Sequence, residues 1–201
     1  MTFDIDPLKT DPFTVFDQWM KEAEKQEPNN PNAMCLSTVS KDGKPSSRMV
    51  LLKDYDVNGF TFFSNSQSRK GLELKDNPWV ALCLYWKTFQ RQVRIEGKAE
   101  KVERHITEAY FHGRSRGSQI ASHCSDQSQI LQDKKIYLDR IAKAEKHFKD
   151  VEVIPCKDEW NGYRVVPTMI ELWQEGEFRT HDRYAFKKDG NGQWVGQRLY
   201  P

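Results

Sequence analysis

The chain has 201 residues, of which 31 are Lys or Arg and 29 are Asp or Glu, so its formal net charge is only +2. This balance excludes the strongly basic surface that is typical of proteins binding nucleic acid by electrostatics. Mean hydropathy is −0.80, and no apolar run reaches the ~20 residues that a membrane helix needs. The N-terminus lacks the pattern of a secretory signal, and the four cysteines are widely spaced, which is not a metal-binding or disulfide pattern. The sequence therefore predicts a cytoplasmic protein with reduced thiols and no bound metal, and with neither nucleic acid nor membrane as a partner.

The first half of the chain predicts one helix followed by a β-rich region. Residues 1–10 are expected to form a flexible arm. Asp11 followed by Pro12 is a typical helix start, and the apolar spacing beyond it predicts a helix to about Gln26. Alternating and apolar runs then predict strands over 33–39, 45–53, 59–65, 79–86 and 90–102, with turns at 41–44 and 54–59 and a short helix over 68–76.

The second half changes character and then returns to strands. Helical periodicity with many charges covers 103–113 and 132–150, on either side of a stretch rich in Ser, Gly and Arg. Further strands are predicted over 162–166, 169–174, 184–188 and 193–199. Because neither group of strands is large enough to close alone, we expect a single domain over residues 1–201. The predicted fold class is mainly β with flanking helices, arranged as one closed or nearly closed barrel.

Several polar residues stand where a plain β-barrel does not require them. Arg48 and Lys53 place cations at both ends of one apolar strand. Residues 64–70, SNSQSRK, bring hydroxyls and two cations to a predicted helix start, where backbone N–H groups favour an anion such as phosphate. Cations in a first helical turn oppose the helix dipole, so a ligand explains them better than helix stability does. Charged strand ends and a solvated helix cap are the alternatives.

Three further patterns combine hydrogen-bond donors. Tyr110, Arg114 and Ser118 recur every four residues, so one continuous helix would present a phenol, a guanidinium and a hydroxyl to a phosphate monoester, although two intervening glycines weaken that helix. Alternation over residues 90–97 puts polar side chains on one sheet face, which suits either solvent or the polar edge of a flavin or nucleotide. Residues 179–183 group two arginines around a histidine, which is either a binding cluster or a surface charge run.

These motifs occur together in one known family. In order and in spacing, the chain resembles the pyridoxine (pyridoxamine) 5′-phosphate oxidases through RMVLLK (48–53), SNSQSRKG (64–71), RQVRIEG (91–97), YFHGRSRGSQI (110–120), QS (127–128), WNGYRV (160–165) and WQEGEFRTHDR (173–183). The resemblance covers nearly the whole chain. It implies an FMN-binding split β-barrel and a homodimer with FMN at the subunit interface. It also implies FMN-dependent oxidation of pyridoxine 5′-phosphate and pyridoxamine 5′-phosphate by O₂ to pyridoxal 5′-phosphate, with H₂O₂ as by-product.

The resemblance further implies a role for each matching residue. The FMN-contacting positions would be Arg48, Met49, Val50, Phe63, Ser64, Arg69, Lys70, Gln92, Gln127, Ser128, Trp173 and Arg183. The substrate's 5′-phosphate would be held by Lys53, Tyr110, Arg114 and Ser118. Arg179 and His181 would lie over the pyridine ring as the catalytic residues.

The sequence departs from the usual family pattern at Ser64, Ala121, Glu175 and Thr180. Two alternatives to the oxidase therefore stay open. One is a flavin- or pyridoxal-phosphate-binding module without turnover. The other is a phenazine-type flavin oxidase of the same fold, which loss of the phosphate cradle would mark.

Overall fold

The computed structural model describes residues 3–201, and its central feature is one antiparallel sheet of nine strands. The strands are β1 (Ala33–Val39), β2 (Pro45–Leu51), β3 (Asp54–Asp56), β4 (Gly59–Asn65), β5 (Trp79–Trp86), β6 (Arg91–Lys101), β7 (Trp160–Gln174), β8 (Asp182–Lys188) and β9 (Trp194–Arg198). Their hydrogen-bonded order is β2-β1-β5-β6-β7-β4-β3, with β8 on β7 and β9 on β8. The order ends at β2 and β3, so the sheet curls into a half-barrel and does not close.

Five helices flank the sheet and confirm the predicted fold class. They are α1 (Pro12–Gln26), α2 (Arg69–Asp76), α3 (Arg104–His112), α4 (Arg116–Cys124) and α5 (Lys134–His147), and a 3₁₀ turn spans Glu177–Arg179. The predicted start of α1 is confirmed, because the side chain of Asp11 accepts hydrogen bonds from the first-turn N–H groups.

Helix α1 is fixed to the sheet by aromatic contacts. Phe16 and Trp19 are buried; the ring of Phe16 meets that of Phe60 edge-on at 5.0 Å, and Trp19 meets Trp86 at 6.5 Å. Burying each such side chain contributes roughly 1.5–3 kcal/mol. A smaller apolar cluster, formed by Phe111, Ile120, Phe148 and Ile154, lies under α3 and α4. Phe16 and Trp19 thus hold α1 on the sheet, and the smaller cluster packs α3 and α4 beside Trp160 at the start of β7.

Three predictions about the strands are wrong. Strand β2 ends at Leu51, so Lys53 lies beyond it and donates its backbone N–H to the carbonyl of Thr61. The predicted turn over 54–59 contains the short strand β3, which pairs with β4. The predicted strands 162–166 and 169–174 are one strand, because pairing with β6 continues past a bulge opposite Glu96 and Gly97. A bulge there accommodates Pro167, which cannot donate to the ladder.

One other expectation, a helix shared by three site residues, needs correction, and the predicted arm can be located in part. Tyr110, Arg114 and Ser118 do not share one helix, since α3 ends at His112 and α4 begins at Arg116. The predicted flexible arm lies partly outside the described residues, at positions 1 and 2. From Phe3 onward it contacts the sheet, because the ring of Phe3 lies 4.8 Å from that of Trp19 and its N–H donates to Asp182.

Candidate active site

A cleft of about 870 Å³ opens beside β2, β4 and the helices α2, α3 and α4. This volume is typical of sites for small molecules and cofactors. No carboxylate is found among the described residues that line it, whereas five cationic side chains are: Arg48, Lys53, Arg69, Lys70 and Arg114. The excess of positive charge favours an anionic ligand.

Most of the predicted site residues meet in this cleft. From the predicted cofactor set the lining contains Arg48, Met49, Val50, Phe63, Ser64, Arg69, Lys70, Gln127 and Ser128. From the predicted substrate set it contains Lys53, Tyr110, Arg114 and Ser118. Although α3 and α4 are separate helices, Tyr110, Arg114 and Ser118 therefore still line the same cleft.

Lys70 is the most buried cation of the cleft. It lies in the first turn of α2, whose N-cap is Ser68, and its Nζ donates to Ser64 Oγ at 3.0 Å, Ser68 Oγ at 3.2 Å and Gln127 Oε1 at 3.2 Å. Burial, together with the nearby charge of Arg48, lowers the pKa of Lys70 to about 8. The charge of Glu73 offsets this shift only in part, so within residues 3–201 the folded protein holds an ammonium without a direct ion pair.

Arg48 and Arg69 share one buried carboxylate behind the cleft wall. Glu73 Oε2 accepts from Arg48 Nη2 at 3.2 Å, and Oε1 accepts from Arg69 Nε at 2.9 Å. Burial alone would raise the pKa of Glu73, but hydrogen bonds from Thr38, Ser46 and Arg69 and the charge of Arg48 outweigh it and lower this pKa to about 2. The carboxylate is therefore ionised at neutral pH.

Aromatic rings pack against two further cations of the cleft, Lys53 and Arg114. The rings of Phe63 and Tyr110 stack at 4.0 Å with an interplanar angle of 11°, and that of Trp160 is parallel to Tyr110 at 5.8 Å. The guanidinium of Arg114 lies over Trp160 at 5.0 Å and donates to Ser122 Oγ at 2.9 Å. Burial lowers the pKa of Arg114, but an arginine of this kind stays charged at physiological pH. The stack therefore fixes a permanent cation at the cleft wall.

The remaining predicted residues form a second cluster outside the cleft, made of Gln92, Trp173, Arg179, His181 and Arg183. Trp173 pairs with Gln92 on β6 and with Arg183 on β8, and its ring lies 4.8 Å from that of His181. Arg183 donates to the buried Glu171 at 2.8 and 3.0 Å. Arg179 is exposed at the end of the 3₁₀ turn, with a positive φ of 66°. Positive φ is uncommon for a residue other than glycine and concentrates at functional sites.

The loop before β8 orients the imidazole of His181. The N–H of Gly176 donates to His181 Nδ1 at 3.2 Å. A ring nitrogen that accepts a hydrogen bond carries no proton, so the neutral ring has its proton on Nε2. A Cβ at Gly176 would stand 2.1 Å from the carbonyl oxygen of Thr180, so only glycine fits here. The loop thus presents Nε2–H of His181 as a donor.

The cleft and the second cluster lie far apart within one chain. Trp160, in the cleft wall, and Trp173, in the second cluster, stand at the two ends of β7. At ~3.3 Å per residue the strand between them is roughly 40 Å long. None of the residues of the second cluster lines the cleft of the same subunit.

Three residues at these sites were not predicted as site residues. Trp160 lies within the WNGYRV motif, and its position next to Tyr110 and Arg114 depends on pairing between β4 and β7. Glu73 stands four residues after Arg69, a spacing that predicts an ion pair, but its link to Arg48 is long-range. Glu171 lies in an apolar strand, where a lone carboxylate gives no sign of its two arginine partners, Arg94 and Arg183.

Residues 3–201 contain neither a metal-binding cluster nor a membrane-spanning helix. No group of three or more His, Cys, Asp or Glu side chains in that range is arranged to hold a metal ion. None of the helices described there has the length and apolar character needed to cross a membrane.

An antiparallel half-barrel with a cationic cleft, whose lining contains no carboxylate among residues 3–201, is typical of a protein that binds an anionic small molecule. Comparison with known proteins narrows the class. The sequence profile of the family described as pyridoxamine 5′-phosphate oxidase matches residues 20–148, and the profile described as the pyridoxine 5′-phosphate oxidase C-terminal dimerisation region matches residues 160–201. The chain belongs to the pyridoxamine 5′-phosphate oxidase family. The resemblance predicted from the motifs is therefore confirmed.

Relatives match over almost the whole length. A pyridoxine/pyridoxamine 5′-phosphate oxidase of Gluconobacter oxydans is 47% identical over 194 residues, which is 96% of each chain. One of Caulobacter vibrioides is 47% identical over 95% of this chain and 85% of its own.

Two solved structures share the fold. PhzG from Burkholderia lata 383, in complex with tetrahydrophenazine-1-carboxylic acid, gives a TM-score of 0.88 at 30% identity, covering 95% of this chain and 93% of its own. An FMN-binding protein from Nostoc punctiforme, related to pyridoxamine 5′-phosphate oxidase, gives 0.75 at 13% identity, covering 96% and 100%. At 13% identity, the similarity to the Nostoc punctiforme protein shows the fold alone. Both structures confirm the predicted split barrel.

Proposed function

We propose that this protein oxidises pyridoxine 5′-phosphate and pyridoxamine 5′-phosphate to pyridoxal 5′-phosphate, using FMN and O₂ and releasing H₂O₂; from the amine, water supplies the aldehyde oxygen and ammonia is released. The observation that carries this proposal is the cleft, in which two groups of cations, Arg48, Arg69 and Lys70 on one side and Lys53 and Arg114 on the other, face one space whose described lining contains no carboxylate. Two phosphorylated ligands, cofactor and substrate, would match two such groups. The relatives that are 47% identical over nearly the whole chain carry the name of this activity.

The residues around Lys70 fit the phosphate of FMN. Its ammonium is buried among hydroxyl and amide oxygens, and no ion-pair partner is found for it among residues 3–201. A phosphate would supply the counter-charge and accept charge-assisted hydrogen bonds from Lys70, Arg48 and Arg69. When bound, FMN supplies the two-electron acceptor that O₂ regenerates.

Arg114 and its neighbours fit the 5′-phosphate of the substrate. The guanidinium is held over Trp160 and against Ser122, with Tyr110 beside it and Lys53 5.8 Å above the Tyr110 ring. Without a phosphate these cations would face no partner, so unphosphorylated pyridoxine would be a poor substrate. The same group of residues argues against the phenazine-type alternative, for which the cradle would be unnecessary.

Arg179 and His181 would act at the reacting end of the substrate. His181 presents Nε2–H as a donor, which would bind and orient the phenolic oxygen of the pyridine ring. Arg179 would stabilise negative charge that develops on the ring as the hydride leaves C4′. Neither side chain needs to act as a strong base.

The site would be completed between the two subunits of a homodimer. Because the second cluster does not line the cleft of its own chain, the partner's second cluster would face it. Four residues of the cluster, Trp173, Arg179, His181 and Arg183, lie inside the region matched by the C-terminal dimerisation profile. The sheet face opposite the core also exposes Met49, Leu51 and Tyr85, which is typical of an interface. Each chain would then be a single flavin-binding domain, and its four free thiols fit the reducing cytoplasm.

The spectrum of the purified protein tests this function. The expected result is a yellow protein that releases FMN on denaturation and is bleached anaerobically by pyridoxine 5′-phosphate but not by pyridoxine. On admission of air, the colour should return with stoichiometric H₂O₂. Bound FMN that the substrate leaves oxidised would support the module without turnover, and a protein that takes up no flavin would refute the proposal.

A further inference from the structure

Glu73 is a buried acid placed directly behind a site for anions. Its side chain is only 7% exposed, and four groups converge on it. Oε2 accepts from Thr38 Oγ1, from Ser46 Oγ at 2.7 Å and from Arg48 Nη2 at 3.2 Å, while Oε1 accepts from Arg69 Nε at 2.9 Å. One carboxylate thus joins β1, β2 and α2.

The contacts of Glu73 select one orientation for each arginine. Arg48 is held at further points by the carbonyl of Leu36 at 3.2 Å and by the hydroxyls of Thr38 and Ser46. Arg69 is 64% exposed and has Glu73 as its ion-pair partner. Without the carboxylate, Arg69 would be free to extend into solvent, and Arg48 would lie beside the ammonium of Lys70 with nothing to offset the repulsion.

We propose that Glu73 is the positioning residue of the cofactor phosphate site: it holds Arg48 and Arg69 in the orientation that receives the phosphate, and so sets the preference for FMN over riboflavin. This inference rests on the proposed function, since it takes FMN as the ligand. Ordering the two side chains before binding removes part of the entropy cost of binding.

Simple electrostatics predicts that loss of the Glu73 charge strengthens FMN binding, whereas a positioning role predicts that it weakens FMN binding. A measured affinity therefore distinguishes the two roles. By Coulomb's law, removing a negative charge close to a bound phosphate strengthens the attraction. If Glu73 acted through its charge alone, Glu73→Gln would bind FMN more tightly, and Glu73→Asp, which keeps the charge, would bind it unchanged. If Glu73 acts by position, both variants bind FMN more weakly, because Asp is one methylene too short to reach both arginines.

The experiment titrates flavin-free protein with FMN and, separately, with riboflavin, following the quenching of flavin fluorescence. For Glu73→Gln we expect a Kd for FMN about tenfold higher or more, in line with impaired charge-assisted hydrogen bonds, and an unchanged Kd for riboflavin. Glu73→Asp should also raise the Kd for FMN. Because it keeps the buried charge, it replaces Glu73→Gln in the test if that variant does not fold. Glu22→Gln removes a comparable ion pair with Arg91 outside the cleft and should leave both constants unchanged.

The outcomes separate this inference from the proposed function. Tighter or unchanged FMN binding by both Glu73 variants would overturn the positioning role while leaving the cofactor intact. An equal loss of FMN and riboflavin affinity would also overturn it, because that pattern indicates general damage to the fold. A wild-type protein that binds no FMN, or binds FMN no better than riboflavin, would instead refute the proposed cofactor site.

Discussion

Replacing Lys70 by Met should stabilise the flavin-free protein while weakening its binding of FMN. The pKa of this lysine falls from 10.5 to about 8 on folding. At ~1.4 kcal/mol per pKa unit, the charged side chain costs the folded state ~3 kcal/mol at neutral pH. Methionine has a similar length and no charge. The hydroxyls left behind keep other partners, because Ser64 donates to Gln127 and Ser68 donates to the carbonyl of Asn65. We therefore expect the free energy of unfolding to rise by about 1–3 kcal/mol.

The pH dependence of stability gives a second signature of the same group. Below pH 8, Lys70 is protonated in both states, and its cost to the folded state is fully present. Between pH 8 and 10.5 the folded state releases the proton first, so the unfolded state binds more protons and stability rises with pH. The advantage of Lys70→Met over the wild type should therefore shrink across this window.

Guanidinium unfolding of the flavin-free proteins, at equal protein concentration and at pH 7 and 10, measures both effects. In parallel, FMN titration should show Kd raised about 10- to 100-fold, because one charge-assisted hydrogen bond to phosphate is lost. A variant that is less stable than the wild type at pH 7, or that binds FMN equally well, would refute the account of Lys70.

Three further predictions concern the rest of the site. Arg114→Ala should raise KM for pyridoxine 5′-phosphate with little change in kcat, because the phosphate is held in the ground state and the transition state alike. Arg179→Ala should instead lower kcat by ~10²-fold. The reverse pattern in steady-state H₂O₂ assays would contradict these roles. Gly176→Ala should lower kcat about tenfold or more with FMN retained, because a Cβ would stand 2.1 Å from Thr180 O and displace His181. Unchanged kinetics would count against an orienting role for the hydrogen bond from Gly176 N–H to His181 Nδ1. Sedimentation at micromolar concentration should show a flavin-loaded dimer, and a flavin-loaded monomer would exclude a shared site.

The sequence predicted those elements whose signals are local. The strands 33–39, 59–65 and 79–86 have the predicted bounds, since alternation and flanking turn residues define each within a few positions. It did not predict β3, which has only three residues. Nor did it predict that β7 runs through Pro167, because the bulge that permits this is a property of pairing with β6.

The residues of the site were predicted more fully than their arrangement. The motifs predicted the cations of the cleft. The position of His181 relative to Lys70 depends on the order of the strands in the sheet, which no local sequence pattern predicts. The buried acids Glu73 and Glu171 were overlooked for the same reason. Each contacts an arginine from a distant part of the chain, Arg48 for Glu73 and Arg94 for Glu171, and no local pattern predicts these contacts.

Subunit mixing tests the central claim, that the cleft of one protomer works with the second cluster of its partner. Arg114→Ala damages the cleft, and Arg179→Ala damages the second cluster. In a dimer of one chain of each kind, one site would carry both changes and the other would carry neither. Isolated mixed dimers, made with two affinity tags, should therefore recover about half the wild-type rate per dimer, measured at a substrate concentration well below the KM of Arg114→Ala, where both parents are impaired. Mixed dimers no more active than the parents would place each complete site within one chain and contradict the account.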